Sequence, residues 1–301
     1  MSSPESTSTS KALLYFHYEP INGAPEAFLV VFAIITALFI HRIIKSQSGK
    51  WLYILPGTAL AEMIGYGFRT ACVFETTLGM YIGMNFLLLV APNALALVNY
   101  KTLGNVIAAK TPTFTSTDME GQHGVIKDPF WLRPKFVTWF FFWSDIFAFF
   151  MQGSGGGLQA TASSQKLGQV ITLIGLCVQL FFFAAFTAIA IYVYRSHHYD
   201  YQLLAMNTHH NPKKRVMTCL FVTIVLLYVR SIYRVAEYAT GYDGPIATAE
   251  WAFYVFDSAV IVTCFLVYYI WFVGDHLPVP SHVSARDSSQ SNVHLSVFNK
   301  D

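Results

Sequence analysis

The sequence predicts an all-α polytopic membrane protein: a bundle of seven transmembrane helices with its N-terminus outside and its C-terminus in the cytosol. Three observations lead there. Hydrophobic residues make up 54% of the 301-residue chain and charged residues only 12%, a membrane composition. The apolar residues gather into runs long enough to cross a bilayer, which takes about 20 residues of helix. Lysine and arginine concentrate in alternate connecting segments, as the preference of basic residues for the cytoplasmic side requires.

Six runs, at about 24–44, 52–74, 80–100, 168–194, 214–233 and 250–273, have the required length. A seventh, at about 135–152, is shorter, but its core FVTWFFFWSDIFAFFM is densely aromatic. Without it, basic loops would stand on both sides of the membrane. The first loop holds Arg42, Lys45 and Lys50, the third Lys101, Lys110, Lys127, Arg133 and Lys135, and the fifth Arg195, Lys213, Lys214 and Arg215. The opposite connections carry little beyond Lys11, Lys166 and Arg234. Trp51, Trp131 and Trp271 fall at expected inner boundaries and Trp251 at an outer one, where indole rings anchor. The first run is too long for the core of a cleavable signal, so span one is expected to direct insertion itself. Three regions follow: a Ser-rich extracellular tail at 1–23, the transmembrane domain at 24–273 and a Ser-rich cytosolic tail at 274–301, both tails expected to be disordered.

Ionisable groups inside the spans carry the chemistry. Each is costly in hydrocarbon and is therefore expected to face the bundle interior. Glu62 and Arg69 in span two, Asp145 and Gln152 in span four, Arg230 and Glu237 in span six, and Glu250 and Asp257 in span seven are each seven residues apart. Seven residues is close to two helical turns, so both members of a pair share a face. Four spans each carry one polar stripe, and a common centre would hide all four. By helical rise, Glu62 and Asp145 fall near the midplane, Asp257 somewhat outside it, Arg69 and Arg230 in the outer half, and Arg234, Glu237 and Glu250 at the outer rim. Span five adds Gln179, and span three adds Asn85 and the pair Pro92-Asn93. The acids Glu62, Asp145, Glu237, Glu250 and Asp257 outnumber the bases Arg69, Arg230 and Arg234. A carboxyl group left over is protonated, wetted by a cavity, or open to a cationic guest. Two readings stand: ion pairs that pin helices together, or a substrate-binding site made of Glu62, Arg69, Asp145, Gln152, Gln179, Arg230, Glu237, Glu250 and Asp257.

Other chemistries find less support. Cys72, Cys177, Cys219 and Cys264 are scattered through the spans without metal or disulfide spacing. The ten histidines lie in tails, loops or at a span edge, which argues against a seven-span zinc hydrolase. Span seven has no lysine for a retinal, and no phosphate-binding G-x-x-x-x-G-K-[ST] run occurs. The expectation is a non-enzyme with no cofactor, no metal and no nucleic-acid partner. The run GSGGGLQATASSQ at 153–165 reads as a flexible connector, with a glycine nest for a phosphate as the alternative.

The runs AEMIGYGFR (61–69), LLLVAPNALALVNYKTLGNVI (87–107), SDIFAFFMQGSGGG (144–157), GQVITLIGLCVQ (168–179) and YVRSIYRVAEYATGYDGPIATAEWAFYVFD (228–257) together resemble the fungal lipid-translocating exporter family, the RTA-like seven-span proteins linked to aminocholesterol resistance. The likeness runs from about residue 15 to 275, with matches in six spans in the same order. Asn105 departs from it, standing where a base is expected after the Leu-Gly pair. The resemblance implies a translocator or exporter of amphipathic lipids or lipid-like toxicants, with sphingoid long-chain bases, sterol-like compounds and porphyrins as associated cargo. It implies membrane lipids as partners, a role in stress resistance, and the fungal plasma membrane, or else an endomembrane, as the location. A seven-span lipid sensor or regulator of membrane lipid asymmetry, which does not itself transport, is the alternative.

Overall fold

The computed structural model describes residues 23–46, 48–74, 77–109, 130–159, 164–199, 212–241, 244, 246 and 248–277. All regular structure among them is helical. Six long helices follow one another: α1 Ala24–Ser46, α2 Ile54–Phe74, α3 Leu78–Ala108, α4 Pro134–Gln159, α5 Gln165–Arg195 and α6 Pro212–Ala239. A seventh, α7, is built in three pieces: an α-helical turn Glu250–Phe253, a π turn Tyr254–Ser258 and the α-helix Ala259–Ile270. Each helix packs on the next in sequence, α7 also meets α1, and α3 also reaches α6.

Five of these helices, α1, α3, α5, α6 and α7, are long and apolar enough to cross a membrane by length and composition. Helices α2 and α4 fall short in hydropathy because of what they turn inward. Helix α2 contains Pro56, Glu62 and Arg69, and α4 contains Asp145, Gln152 and a run of glycines, alongside tryptophans that hydropathy scores as nearly neutral. Val30, Ile34, Trp139, Trp143, Phe147, Phe150 and Phe181 are among the large apolar side chains on the bundle's exterior. An apolar outside around a partly polar inside is the arrangement of an integral membrane protein.

Helix α4 shows how the sequence sorts its faces. Val137, Phe141, Asp145, Ala148, Gln152, Gly155 and Gln159 recur at three- and four-residue steps and are buried, while Trp139, Trp143, Phe147 and Phe150 point out. The same helix corrects an expectation. Gly153 to Gly157 continue α4 to Gln159 and do not form the connector that their composition suggests. Glycine is a poor helix former, but here it allows two helices to touch. A Cβ on Gly155 would meet Gly168 O of α5 at 2.6 Å, and one on Gly168 would meet Gln159 N at 2.8 Å. Small residues permit this close approach in membrane bundles. Helices α3 and α6 likewise run past the hydropathy boundaries, to Ala108 and Ala239. The tails at 1–22 and 278–301, the loop at 110–129 and the pair His209-His210 lie outside the described residues.

At the end of the bundle where α1 closes on the chain after α7, Arg42 Nη2 sits 2.8 Å from Asp275 Oδ2, with both side chains more than one-third exposed. The Arg42 guanidinium also lies 5.3 Å from the centre of the Phe272 ring. Exposed pairs contribute little. Arg42→Ala is expected to cost about 1 kcal/mol or less, read as a fall of about 2–4 °C in the unfolding midpoint of the detergent-purified protein.

Candidate functional site

Three of the four polar stripes meet. Asp257, 2% exposed, takes Arg230 and Arg234 of α6 onto one oxygen: Arg230 Nε lies 2.8 Å and Arg234 Nε 3.2 Å from Asp257 Oδ1. Arg234 Nη1 reaches on to Glu237 Oε2 at 3.0 Å. Across from them, Arg69 of α2 pairs with Glu250 of α7 at 3.1 Å and donates through Nε to the Tyr254 hydroxyl at 3.0 Å. Arg69 and Arg234 both stand over the Phe253 ring, at 4.5 and 5.6 Å from its centre. Tyr66 of α2 donates to Ser258 Oγ of α7 one level deeper. Glu62 lies at that depth too, 2% exposed, with no hydrogen bond or ion pair among the described residues.

Local structure explains two of these positions. Pro92 inside α3 has no N–H, so the carbonyl four residues back, Leu88 O, loses its usual helical donor. Arg230 Nη2 donates to that carbonyl at 3.3 Å, and the proline thus creates the second seat of the arginine. In α7 the π turn Tyr254–Ser258 contains Asp257. A π turn advances less per residue than an α turn, so Asp257 lags behind Glu250 around the axis. One acid then faces the α2 arginine and the other the α6 pair, although seven-residue spacing alone would stack them.

The fourth stripe turns elsewhere. Asp145 of α4 accepts a hydrogen bond from Tyr100 of α3 at 2.7 Å through Oδ2, and its Oδ1 has no partner. Gln152 Nε2 donates to Gln179 Oε1 of α5 at 2.9 Å, and Gln179 Nε2 donates to Asn93 Oδ1 of α3 at 2.5 Å. Gln159 Nε2 donates to Thr172 Oγ1 at 3.0 Å. A single shared centre for all four stripes is therefore corrected to two polar groups, one on α2, α6 and α7 and one on α3, α4 and α5. The five acids and three arginines need not share one centre when Tyr100 and Gln179 supply Asp145 and Gln152 of α4 with neutral partners.

Between the two groups lies a cavity of about 180 Å3. Arg69, Arg234, Glu237, Glu250 and Phe253 form one wall, Gln152, Gly153, Gly156, Gly157 and Gln159 another, and Ile82, Asn85, Phe86 and Leu89 of α3 a third. Ile82, Asn85, Phe86 and Gly157 are exposed, so the cavity's lining reaches the outside of the bundle along α3 and α4, beside the edge-to-face contact of Phe86 with Phe149. Of the nine residues singled out from sequence, Arg69, Gln152, Glu237 and Glu250 line it. Glu62, Asp145, Gln179, Arg230 and Asp257 stand behind the wall. Spacing by charge overlooked Arg234 as a site residue, although it lies one helical turn from Arg230 on the same face. It also overlooked Tyr66, Tyr100 and Tyr254, because tyrosine reads as apolar in a span.

A third polar cluster lies deeper. Asn99 Oδ1 of α3 accepts from Thr223 Oγ1 at 2.9 Å and from the Tyr268 hydroxyl at 2.7 Å, joining α3, α6 and α7. Among the described residues no group of His, Cys, Asp and Glu could hold a metal ion.

Comparison with known proteins places this architecture. The chain is 25% identical to the protoporphyrin uptake protein 1 of Saccharomyces cerevisiae, over 87% of this chain and 93% of that protein. It is 24% identical to the lipid-translocating exporter-like protein RTA1 of Leptosphaeria maculans, over 91% of this chain and 54% of that longer protein. It is 26% identical to the probable lipid transporter atnI of Emericella nidulans, over 83% of this chain and 65% of that protein. No solved structure matches. The family model described as RTA1 like protein matches residues 55–120 and 122–279, from α2 through the end of α7, and the chain belongs to that family.

Proposed function

We propose that this protein moves amphipathic lipids or lipid-like toxicants across a fungal membrane, holding the polar head in the cavity while the hydrocarbon tail leaves between α3 and α4. The observation that carries this reading is a cavity with ionic and amide groups on two of its walls, an otherwise apolar lining, and exposed apolar residues at its edge. A volume of about 180 Å3 suits a head group: a cavity of about 150 Å3 takes one benzene, and sites for whole drug-sized molecules start near about 300 Å3. The tail then needs a way out, and Ile82 and Phe86 beside the Cβ-free Gly153, Gly156 and Gly157 offer an apolar one. Lipid-transporter relatives within the same family support the cargo class.

In this reading all seven helices cross the membrane, the N-terminus is outside, the C-terminus is cytosolic, and the cavity faces outward. The bundle carries no catalytic chemistry of its own. Glu237, whose second carboxylate oxygen is left over from its pair with Arg234, meets the ammonium of a sphingoid long-chain base, and Arg69 and Arg234 keep the empty site neutral.

The test is flip of a fluorescent long-chain base in proteoliposomes containing the full chain. Unaided movement is expected, with Glu237→Gln slowing it about tenfold, the loss of one charge-assisted contact. Binding of the base without movement would favour a lipid sensor. Absence of both would remove the head-group reading.

A further inference from the structure

The amide side chains joining α3, α5 and α4 all run in one direction, and a backbone carbonyl sets it. Leu89 O can only accept, and it takes Asn93 Nδ2 at 3.0 Å. That turns Asn93 Oδ1 toward Gln179, whose Nε2 donates to it at 2.5 Å. Gln179 is left offering Oε1, to which Gln152 Nε2 donates at 2.9 Å. Each amide has a donor end and an acceptor end, so reversing any one of the three would set nitrogen on nitrogen or oxygen on oxygen. The chain ends at Gln152 Oε1, a buried atom without a hydrogen-bond partner, on a residue 3% exposed that lines the cavity. An unfilled buried acceptor is costly, and proteins retain few of them.

We propose that Asn93, Gln179 and Gln152 form a directional amide relay that holds Gln152 Oε1 as an acceptor for the cavity's guest, making the site selective for heads that carry an N–H or O–H donor over heads of equal charge that carry none. The proposal rests on the head-group reading above and adds the residue that discriminates among heads. Gln152 contacts the guest, and Gln179 and Asn93 are positioning residues. The oxygen has almost no surface open to water, so a donor reaches it through a small widening of the wall and, once seated, competes with no solvent. Glu237 on the opposite wall attracts either cation by charge and also accepts a hydrogen bond from a primary ammonium. The relay adds a second acceptor to that distinction, and the share it adds is what a change at Gln152 removes.

Binding of single-chain probes with one common tail, dodecylamine, dodecyltrimethylammonium and dodecanol, to the full chain in nanodiscs tests this. Dodecylamine is expected to bind more tightly than dodecyltrimethylammonium, with about tenfold of that ratio coming from the Gln152 hydrogen bond, about 1.4 kcal/mol. Gln152→Met is expected to lower the ratio by that factor, weakening the amine and leaving the trimethylammonium probe unchanged. Weakening of dodecanol by the same variant would show that an O–H serves as donor as well, and unchanged dodecanol binding would restrict the site to N–H. Gln179→Met leaves Gln152 in place but frees its amide to turn, and is expected to lower the ratio in part. Gln179→Glu is expected to preserve it with the carboxyl protonated, because its O–H donates to Asn93 Oδ1 and its other oxygen still accepts from Gln152 Nε2. A merely structural role for these residues would shift all probes together. A ratio that Gln152→Met leaves unchanged while the wild type binds the probes overturns the relay alone. A wild type that binds none of them overturns the head-group reading and the relay with it.

Discussion

Asp257→Asn is expected to cost more stability than removal of any other charge in the bundle. Asp257 is the carboxylate shared by two arginines, Arg230 and Arg234, which are 4% and 8% exposed. Without it Arg234 keeps Glu237, but Arg230 keeps, among the described residues, the Leu88 carbonyl alone as a hydrogen-bond partner. Breaking a buried pair by removing one partner costs about 3–5 kcal/mol, chiefly because the survivor stays charged and dry. The expected result is a fall of about 10 °C or more in the unfolding midpoint of the detergent-purified protein. Glu250→Gln should cost less, since Arg69 retains the Tyr254 hydroxyl and two aromatic faces. Adding Arg230→Gln to Asp257→Asn should recover much of the loss, because the stranded cation is gone. Equal losses for Asp257→Asn and Glu250→Gln, or no recovery in the double variant, would show that the shared carboxylate is not the lock joining α6 to α7.

The reach of the sequence is visible in these same residues. Apolar runs located six of the long helices and the distribution of basic loops the remaining one, α4, and the seven-residue spacing put Glu62 with Arg69, and Asp145 with Gln152, on faces that are buried. What spacing could not carry is direction around the bundle. Each stripe faces inward, but inward for α4 means toward Tyr100 and Gln179, partners that do not ionise in ordinary conditions and so attract no notice in a scan for charge. Nor could it foresee the π turn that separates Glu250 from Asp257, because the extra residue in a turn leaves no mark in composition. Pro92 was the legible signal least used. A proline within a span frees a carbonyl, and a freed carbonyl in a membrane interior must find a donor. Arg230 is that donor, so the contact between α3 and α6 follows from a residue usually read only as a kink.

The glycines of α4, with Gly168 of α5 that faces them, divide into two kinds that substitution should tell apart. Gly155→Val and Gly168→Val place carbon against backbone: Gly155 against Gly168 O at 2.6 Å and Thr172 N at 2.8 Å, Gly168 against Gln159 N at 2.8 Å. Backbone cannot swing aside as a side-chain tip can, so α4 and α5 must separate along their closest seam. Overpacking of this kind costs about 3 kcal/mol, and either variant is expected to unfold several degrees earlier or to fail to purify as a single species. Gly153, Gly156 and Gly157 have nothing within 4 Å of a built Cβ. Gly157→Ala should therefore keep the midpoint or raise it, since alanine is favoured over glycine in a helix by about 1 kcal/mol. These three line the cavity, so Gly156→Leu fills space that the guest would occupy. It should leave the unfolding midpoint intact while lowering probe binding, which no variant at Gly155 or Gly168 can do. If Gly156→Leu and Gly155→Val instead lose stability together, the run acts only as a helix seam and the cavity beside it is incidental.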